Sequence, residues 1–518
     1  MTADSISLAV FQRLFTSITE EMEAALQRAG FSPPIKDLSD ASYAVFDCQA
    51  RMITQATHNP IHLASMPASV AAALRACRVL RPGDTVVLNH PYHGGTRLSD
   101  VTMVSPVFVS NGNHAARFFV ASRAHHADLG GMAPGSLPPS ADLYQEGLVV
   151  PPLKLVDGGQ RNEALFTLLT SNSRAPAERL ADLEAQLAAQ HVGQRRLLEI
   201  VHRHGETCVQ EHALALMAHS RHVIETTIAS IPDGVYRFED VIEGPAPCED
   251  HIPIRVKLVV SRSRMSVDFT GTASQIPGNL NAAASVARSV AWYCVRLLTP
   301  ADVPINHGSF EPLTVILPPH SLLNPDPPAA VAGSVETGQR IADVVLGALA
   351  QALPHRIPAA SQGTANTVTL SGVAHDRPFL FCETIAGGHG AGPQGPGLSG
   401  RHSHVTNARN TPVEAVEHSL PVRVLEYGRR LNSGGAGEHR GGDGLRRVYE
   451  FLAPATVTIH SERRGPYGLQ GGAPGQEGVN RIVRDGVDTI IEGQATVQVG
   501  PGDRLIVETP GGGGWGAD

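Results

Sequence analysis

The chain has 518 residues, of which 42% are apolar and 17% charged, with a formal net charge of −8. That balance supports a packed core and excludes a disordered chain, while the acidic excess excludes the basic stripe of a nucleic-acid surface. No apolar run is long enough to span a bilayer, and the opening Met1-Thr-Ala-Asp-Ser5 lacks the basic and apolar regions of a signal peptide, so a cytoplasmic protein is expected.

Taken in chain order, Ile6, Val10, Leu14, Ile18, Met22 and Leu26 recur every fourth residue and predict a helix over 5–29, ended by Gly30 and Pro33-Pro34. Residues 42–54 read as a hairpin, 65–81 as a helix, and Arg81-Pro-Gly-Asp84 as a turn into the strand 85–89, with further strands at 101–109 and 117–123. A long helical pair fills 176–231, with a break near Gly205; a core spine and a subunit contact weigh evenly for it. Strands follow at 236–243, 254–261 and 265–270, helices at 280–298 and 336–353, a loop system with seven glycines at 383–400, and alternating strands over 445–509.

The fold class is therefore α+β, mixed and multi-domain: an N-terminal α/β region with glycine-rich site loops, a central helical pair and a strand-rich C-terminal half. Soft cuts fall at 1–175, 176–231, 232–440 and 441–518. The six cysteines, Cys48, Cys77, Cys208, Cys248, Cys294 and Cys382, have no C-x-x-C spacing and suit buried thiols in a reducing compartment.

Chemistry concentrates in Asn89-His-Pro-Tyr-His-Gly-Gly-Thr-Arg-Leu-Ser-Asp100 and Arg123-Ala-His-His-Ala-Asp128-Leu-Gly-Gly131, which set four histidines, two aspartates and two arginines beside four glycines. Imidazole with carboxylate is the ligand set of zinc, manganese or iron. Asp40, Asp100 and His125 are the best metal candidates; turn caps and backbone hydrogen bonds are the alternative. In a second reading one imidazole of the His125-His126 pair is a base oriented by Asp128. Neighbours on a strand face opposite sides, so both rings should not enter one site. Glu336-Thr-Gly-Gln-Arg340 reads as a capped helix start with no Walker motif, so ATP hydrolysis by this chain alone is not expected. Glu383-Thr-Ile-Ala-Gly-Gly-His-Gly390 and Arg401–Thr411 line a pocket, a subunit contact or plain loop. Gly511–Gly514 permits close backbone packing; a flexible tail is the alternative.

Ordered segments along the whole chain carry a resemblance. They include Phe46-Asp-Cys-Gln-Ala-Arg51, His62-Leu-Ala-Ser-Met66, Asn89–Thr102, Arg123–Gly131, Gly333–Arg340, Ser361-Gln-Gly-Thr364, Glu383–Gly388, Thr406–Glu414, Ser433–Gly437, Arg440–Gly444, Ser461-Glu-Arg-Arg464 and the Pro-Gly-Gly-Gly-Gly end. On these the chain resembles the hydantoinase B/oxoprolinase family, the B-type subunits of ATP-dependent hydantoinases, which are related to the C-terminal half of 5-oxoprolinase and to acetone and acetophenone carboxylase subunits.

The resemblance implies a hetero-oligomer with an A-type ATPase subunit that binds ATP and phosphorylates the carbonyl oxygen of a small cyclic amide. This chain would then host hydrolysis, with Asp100 and His125 at the reacting centre and His126 and Asp128 supporting them. A ketone carboxylase subunit and a metal-less scaffold are the alternatives. The family metal site falls on Asp40, Arg97, Asp100 and His125, so an arginine stands where a histidine ligand is expected. A guanidinium keeps its proton and cannot ligate a cation. Three outcomes follow: His93 swings in, three ligands hold zinc, manganese or iron, or the ion is lost and Arg97 pairs with the aspartates or grips an anionic group. Arg97, His93 and Glu383 are the substrate-binding candidates.

Overall fold

A computed structural model of the chain describes residues 4–36, 40–57, 59–109, 115–244, 251–374, 377–408, 410–462 and 464–517. Cys248, and Arg409 and Arg463 within the segments quoted above, lie outside the described residues.

The first helix spans Ser5–Ala29, capped by Asp4, whose carboxylate accepts from the Ser7 N–H at 2.6 Å. Its buried stripe begins at Phe11 and Phe15 rather than at Ile6 and Val10, which are exposed. A strict four-residue series drifts around a helix of 3.6 residues per turn, so it leaves the core face within a few turns. The next long helix is His62–Ala76, three residues earlier at its start and five shorter at its end than its pattern suggested. The chain then turns at Asp84, whose carboxylate accepts from Arg81 N and Gly158 N, both at 2.7 Å.

Seven antiparallel strands form the N-terminal sheet, in the order Met52–Thr57, Ala41–Asp47, Phe118–His125, Asp100–Val107, Thr85–Leu88, Leu153–Asp157 and Gln160–Arg161. The three strands Ala41–Asp47, Asp100–Val107 and Phe118–His125 are buried at every position. Antiparallel sheets commonly leave one face wet; here helix His62–Ala76 covers one face and helices Ser5–Ala29 and Pro176–His204 the other. The last helix is therefore a core spine. Its buried Gln186 donates to Val101 O at 3.1 Å and Ser122 O at 3.2 Å, and Gln190 donates to Met103 O at 3.0 Å. Gly205 separates it from Glu206–Ala229, as the sequence suggested.

A four-stranded sheet, Leu313–Ile316, Arg264–Asp268, Ile252–Ser261 and Gly234–Ile242, carries helices Ala284–Arg296 and Ser334–Ala352. Every residue from Ser334 to Ala350 is buried, which makes that helix the central pillar of the molecule. The C-terminal half packs a four-stranded sheet, drawn from 367–384, 455–460 and 494–499, against a five-stranded one drawn from 422–451 and 479–508. Both sheets combine strands from either side of residue 440. The glycine tail is interior: Gly512 N donates to Gly442 O and Gly513 N to Ala360 O, each at 2.9 Å. The described cysteines are free.

Candidate functional site

Asp100 opens the strand Asp100–Val107 and His125 closes Phe118–His125, and the two residues are direct partners across the ladder. Register alone therefore sets His125 Nδ1 2.9 Å from Asp100 Oδ1. Asp40 precedes the strand Ala41–Asp47 on the other side, where its carbonyl accepts from His125 N at 2.9 Å. Three adjacent strand ends thus bring residues 40, 100 and 125 together.

Arg97 arrives from the loop between Leu88 and Asp100. Asn89 pins that loop by donating to Leu98 O at 2.8 Å and Leu148 O at 2.9 Å. Gly94, at φ 89°, presses it onto helix His62–Ala76 so closely that a Cβ would lie 2.4 Å from the backbone of Ala68 and Ser69. The guanidinium sits among the other three residues. Nε is 3.4 Å from Asp100 Oδ2, and Nη2 is 3.5 Å from Asp100 Oδ1, 3.2 Å from His125 Nδ1 and 3.9 Å from Asp40 Oδ2. Nη1 has no hydrogen-bond partner among the described residues.

Asp40, Arg97 and His125 form one end of a cavity that is partly open to solvent, with Asp100 behind them. Its other walls come from Leu137, Val335 at the start of the central helix, Thr367 and Cys382–Thr384 on the C-terminal sheet, and 405–408. The site is thus built where the N-terminal sheet, the central helix and the C-terminal half meet.

Sequence reasoning gave no role to several residues behind this wall. Asp100 also accepts from Thr96 Oγ1 at 2.5 Å. His62 holds Ser42 Oγ at 2.8 Å through Nδ1 and turns Nε2 toward Asp100 at 3.8 Å, beyond hydrogen-bonding distance. Arg123 is fully buried and donates to Thr102 Oγ1 at 2.8 Å, Ser69 Oγ at 2.7 Å, Ser65 Oγ and Gly94 O. His62 was signalled only by a segment that carried the family resemblance, while Arg123 also opened the histidine-rich segment 123–131 but was given no role there.

Burial acts to raise the Asp100 carboxyl, but Arg97 beside it and the His125 and His62 rings outweigh this and hold it well below the usual carboxylate range. Burial lowers His62 and brings the Arg123 guanidinium down to about 10.

The remaining sequence candidates divide. Glu383 is in the cavity wall, its carboxylate bound by Arg447 and by Thr411 N at 2.6 Å. Burial pushes its carboxyl up, and Arg447 pulls it back. His126 lies on the opposite face of the sheet, where Arg179 donates to Nδ1 and Nε2 bonds Gln186 Oε1 at 3.0 Å. Burial and Arg179 lower it to about 3. The strand pleat separates the two rings in just the way its period requires. Asp128 caps the turn into helix Pro176–His204, accepting from Arg174 N at 2.6 Å and Arg174 Nη1 at 2.8 Å, and does not orient either ring. His93 is exposed and stacked on His90 with ring centroids 4.2 Å apart, so it does not enter the cavity.

The residues as arranged do not fit a divalent ion. An ion bound by Asp40, Asp100 and His125 needs bonds near 2.0–2.2 Å, and the guanidinium occupies the space they share. Among the described residues, no group of three or more His, Cys, Asp or Glu side chains is disposed to hold one. With an effective dielectric near 20, a divalent ion 4 Å from a guanidinium is repelled by roughly 8 kcal/mol.

The Hydantoinase B/oxoprolinase family model matches residues 4–518. The chain belongs to that family. It is 37% identical to 5-oxoprolinase 1 of Arabidopsis thaliana over 100% of its own length but only 42% of the plant chain. Among solved structures, the ATP-dependent caprolactamase from Pseudomonas jessenii superposes with a TM-score of 0.93 at 28% identity, covering 100% of this chain and 92% of that one. Nucleotide-free acetone carboxylase, with a TM-score of 0.90 at 17% identity over 98% of this chain and 75% of that one, shares the fold. No helix among the described residues is long and apolar enough to cross a membrane.

Proposed function

We propose that this chain carries out the ring-opening half of an ATP-dependent cyclic-amide hydrolysis. It acts on a carbonyl-phosphorylated lactam or hydantoin supplied by an A-type ATPase partner. The observation that carries the reading is His125 in the wall of a cavity, paired behind that wall with Asp100 and set beside the guanidinium of Arg97. The relatives support it: 5-oxoprolinase and caprolactamase are named for rings of this class, and more than half of the Arabidopsis chain lies outside the match.

The chemistry follows from the tautomer. In the tautomer this reading requires, His125 Nδ1–H donates to Asp100 and Nε2 is the basic nitrogen. Nε2 takes a proton from water as the water oxygen bonds to the activated ring carbon. The ring C–N bond then breaks, and the nitrogen leaves as an amine carrying that proton. The acyl phosphate that remains is hydrolysed by a second water. Phosphorylation has already removed the amide resonance that makes this carbon unreactive. The free Nη1 of Arg97 faces the ligand as a charged donor to an oxygen that gains negative charge.

The test combines the purified chain with an A-type partner, ATP and a panel of 5-oxoproline, hydantoin and caprolactam, with the ring-opened acid and ADP measured together. Ring opening that needs both chains is expected. Ring opening by the A-type chain alone would sink the reading, as would carboxylation of a ketone with none of the rings opened.

A further inference from the structure

At the charged end of the cavity Asp40 and Arg97 line the wall, with the buried Asp100 and Arg123 behind them, two carboxylates and two guanidiniums in all. A pair of carboxylates beside an imidazole is the setting in which a divalent ion balances two negative charges. Here that balance is already met by arginine. Arg123 makes its hydrogen bonds to hydroxyls and carbonyls, and the charge it feels is that of Asp100. Arg97 touches both carboxylates and the imidazole at once.

The geometry points to Arg97 as a built-in cation that stands in the place of a divalent ion, so that this site takes no metal and meets its ligand with a guanidinium. Three features support this beyond occupancy. His125 Nδ1 lies 2.9 Å from Asp100 Oδ1 and 3.2 Å from Arg97 Nη2, so whether it donates to the one or accepts from the other, it has no lone pair left for the space between the carboxylates. The arginine is held in place: Asp100 N donates to Arg97 O at 3.1 Å, and the residue is 8% exposed. And Nη1 keeps two N–H donors without a protein partner in a side chain that lines the cavity. A guanidinium offers these in a fixed plane, which suits a carboxylate or phosphoryl oxygen; a metal ion accepts such oxygens from many directions.

The inference rests on the placement of four side chains and not on the ring-opening reading, so a metal count decides it whether or not any ring is opened. The full chain is stripped with chelator, loaded with Mn²⁺ or Zn²⁺ alone, desalted, and analysed for metal by mass spectrometry. Wild type is expected to keep only a trace, and folded Arg97→His to keep close to one ion per chain. That ion should be lost again when His125→Ala is added. Near-stoichiometric metal in wild type overturns the proposal. So does a folded Arg97→His that stays empty, or a gained ion that survives His125→Ala. Should Arg97→His not fold, the melting temperature of wild type decides: it is expected to move by less than about 1 °C on adding either ion, and a clear rise overturns the proposal.

Discussion

Asp100 and His125 are in-register partners at the same end of two neighbouring antiparallel strands, joined side chain to side chain at 2.9 Å. The pairing holds Nδ1 against Asp100 and Arg97 and orients the ring. Asp100→Asn removes the counter-charge for Arg97 and Arg123 and turns one of the two acceptor oxygens that serve His125, Thr96 and Arg97 into a donor. Breaking one member of a buried ionic set typically costs about 3–5 kcal/mol, so the urea midpoint should fall sharply. Loss of a positioned base is worth about 10²–10⁴-fold, so ring opening in the folded fraction should drop at least 100-fold. A near wild-type rate in Asp100→Asn would separate His125 from the chemistry.

Glu383 makes the second buried ion pair at the cavity wall, with Arg447, which also stacks on Tyr427 and Tyr449 with its guanidinium carbon 4.5 Å and 4.9 Å from the ring centres. Arg447→Met strands a carboxylate and should cost about 3–5 kcal/mol, whereas Arg447→Met with Glu383→Gln should recover much of it. A double-mutant cycle by urea unfolding measures the coupling; additivity of the two changes would show that the pair is not coupled.

Much of the fold was legible in the chain. The break at Gly205, the pillar after Gly333 and the alternating C-terminal strands follow from local period and turn chemistry. So did the separation of His125 from His126, since a strand pleat is a local rule. What local pattern could not show was pairing between distant segments. Asp128 looked like an orienter for the adjacent histidines, but its partner is Arg174. Cys382 and Thr384 reach the cavity only because the C-terminal half closes over the N-terminal sheet. The helix at Ser5 was placed correctly, and Ile18, Met22 and Leu26 of its apolar series are buried, while Ile6 and Val10 are exposed because a four-residue step drifts off the core face.

Glu336, in the first turn of the central helix, is raised by burial to about 8, against an ordinary 4.5. The folded state therefore holds a proton that the unfolded state releases. The stability it contributes is complete below pH 4.5 and is lost as pH rises toward about 8. Glu336→Gln keeps the neutral shape and removes that loss, so its stability relative to wild type should improve by up to about 1.4 kcal/mol per pH unit across this window. Parallel unfolding curves between pH 5 and 8 check the slope; parallel profiles would contradict it.

His126 gives the opposite sign. Its folded value of about 3 lies below the ordinary 6.5, so the unfolded chain binds the extra proton. Its contribution is present above about pH 6.5 and is lost as pH falls. His126→Gln should lower stability at pH 7.5, because Arg179 loses an acceptor, yet flatten the acid limb between pH 6.5 and 4 by up to about 1.4 kcal/mol per unit. Since the ring lies on the face away from the cavity, KM for the ring substrate should be unchanged. A raised KM in folded protein would place His126 in contact with the site after all.

Gly512 tests whether the C-terminal tail is structural. A Cβ there would lie 1.9 Å from His389 O, a backbone atom held in turn by Gly442 N at 2.9 Å. No side-chain rotation relieves that contact, so the tail or the 389–397 loop must move. Overpacking in a close-packed interior costs about 1–3 kcal/mol, and here backbone hydrogen bonds from Gly512 and Gly435 are lost as well. Gly512→Ala should thus be destabilised by at least that much. Gly502→Ala is the control: it meets no neighbouring atom and pays only for its positive φ of 89°. The cavity wall at 382–384 leads directly into the loop that the tail packs against, so Gly512→Ala should also weaken ring-substrate binding. A variant with wild-type stability and binding would show that the tail is not needed to hold that wall.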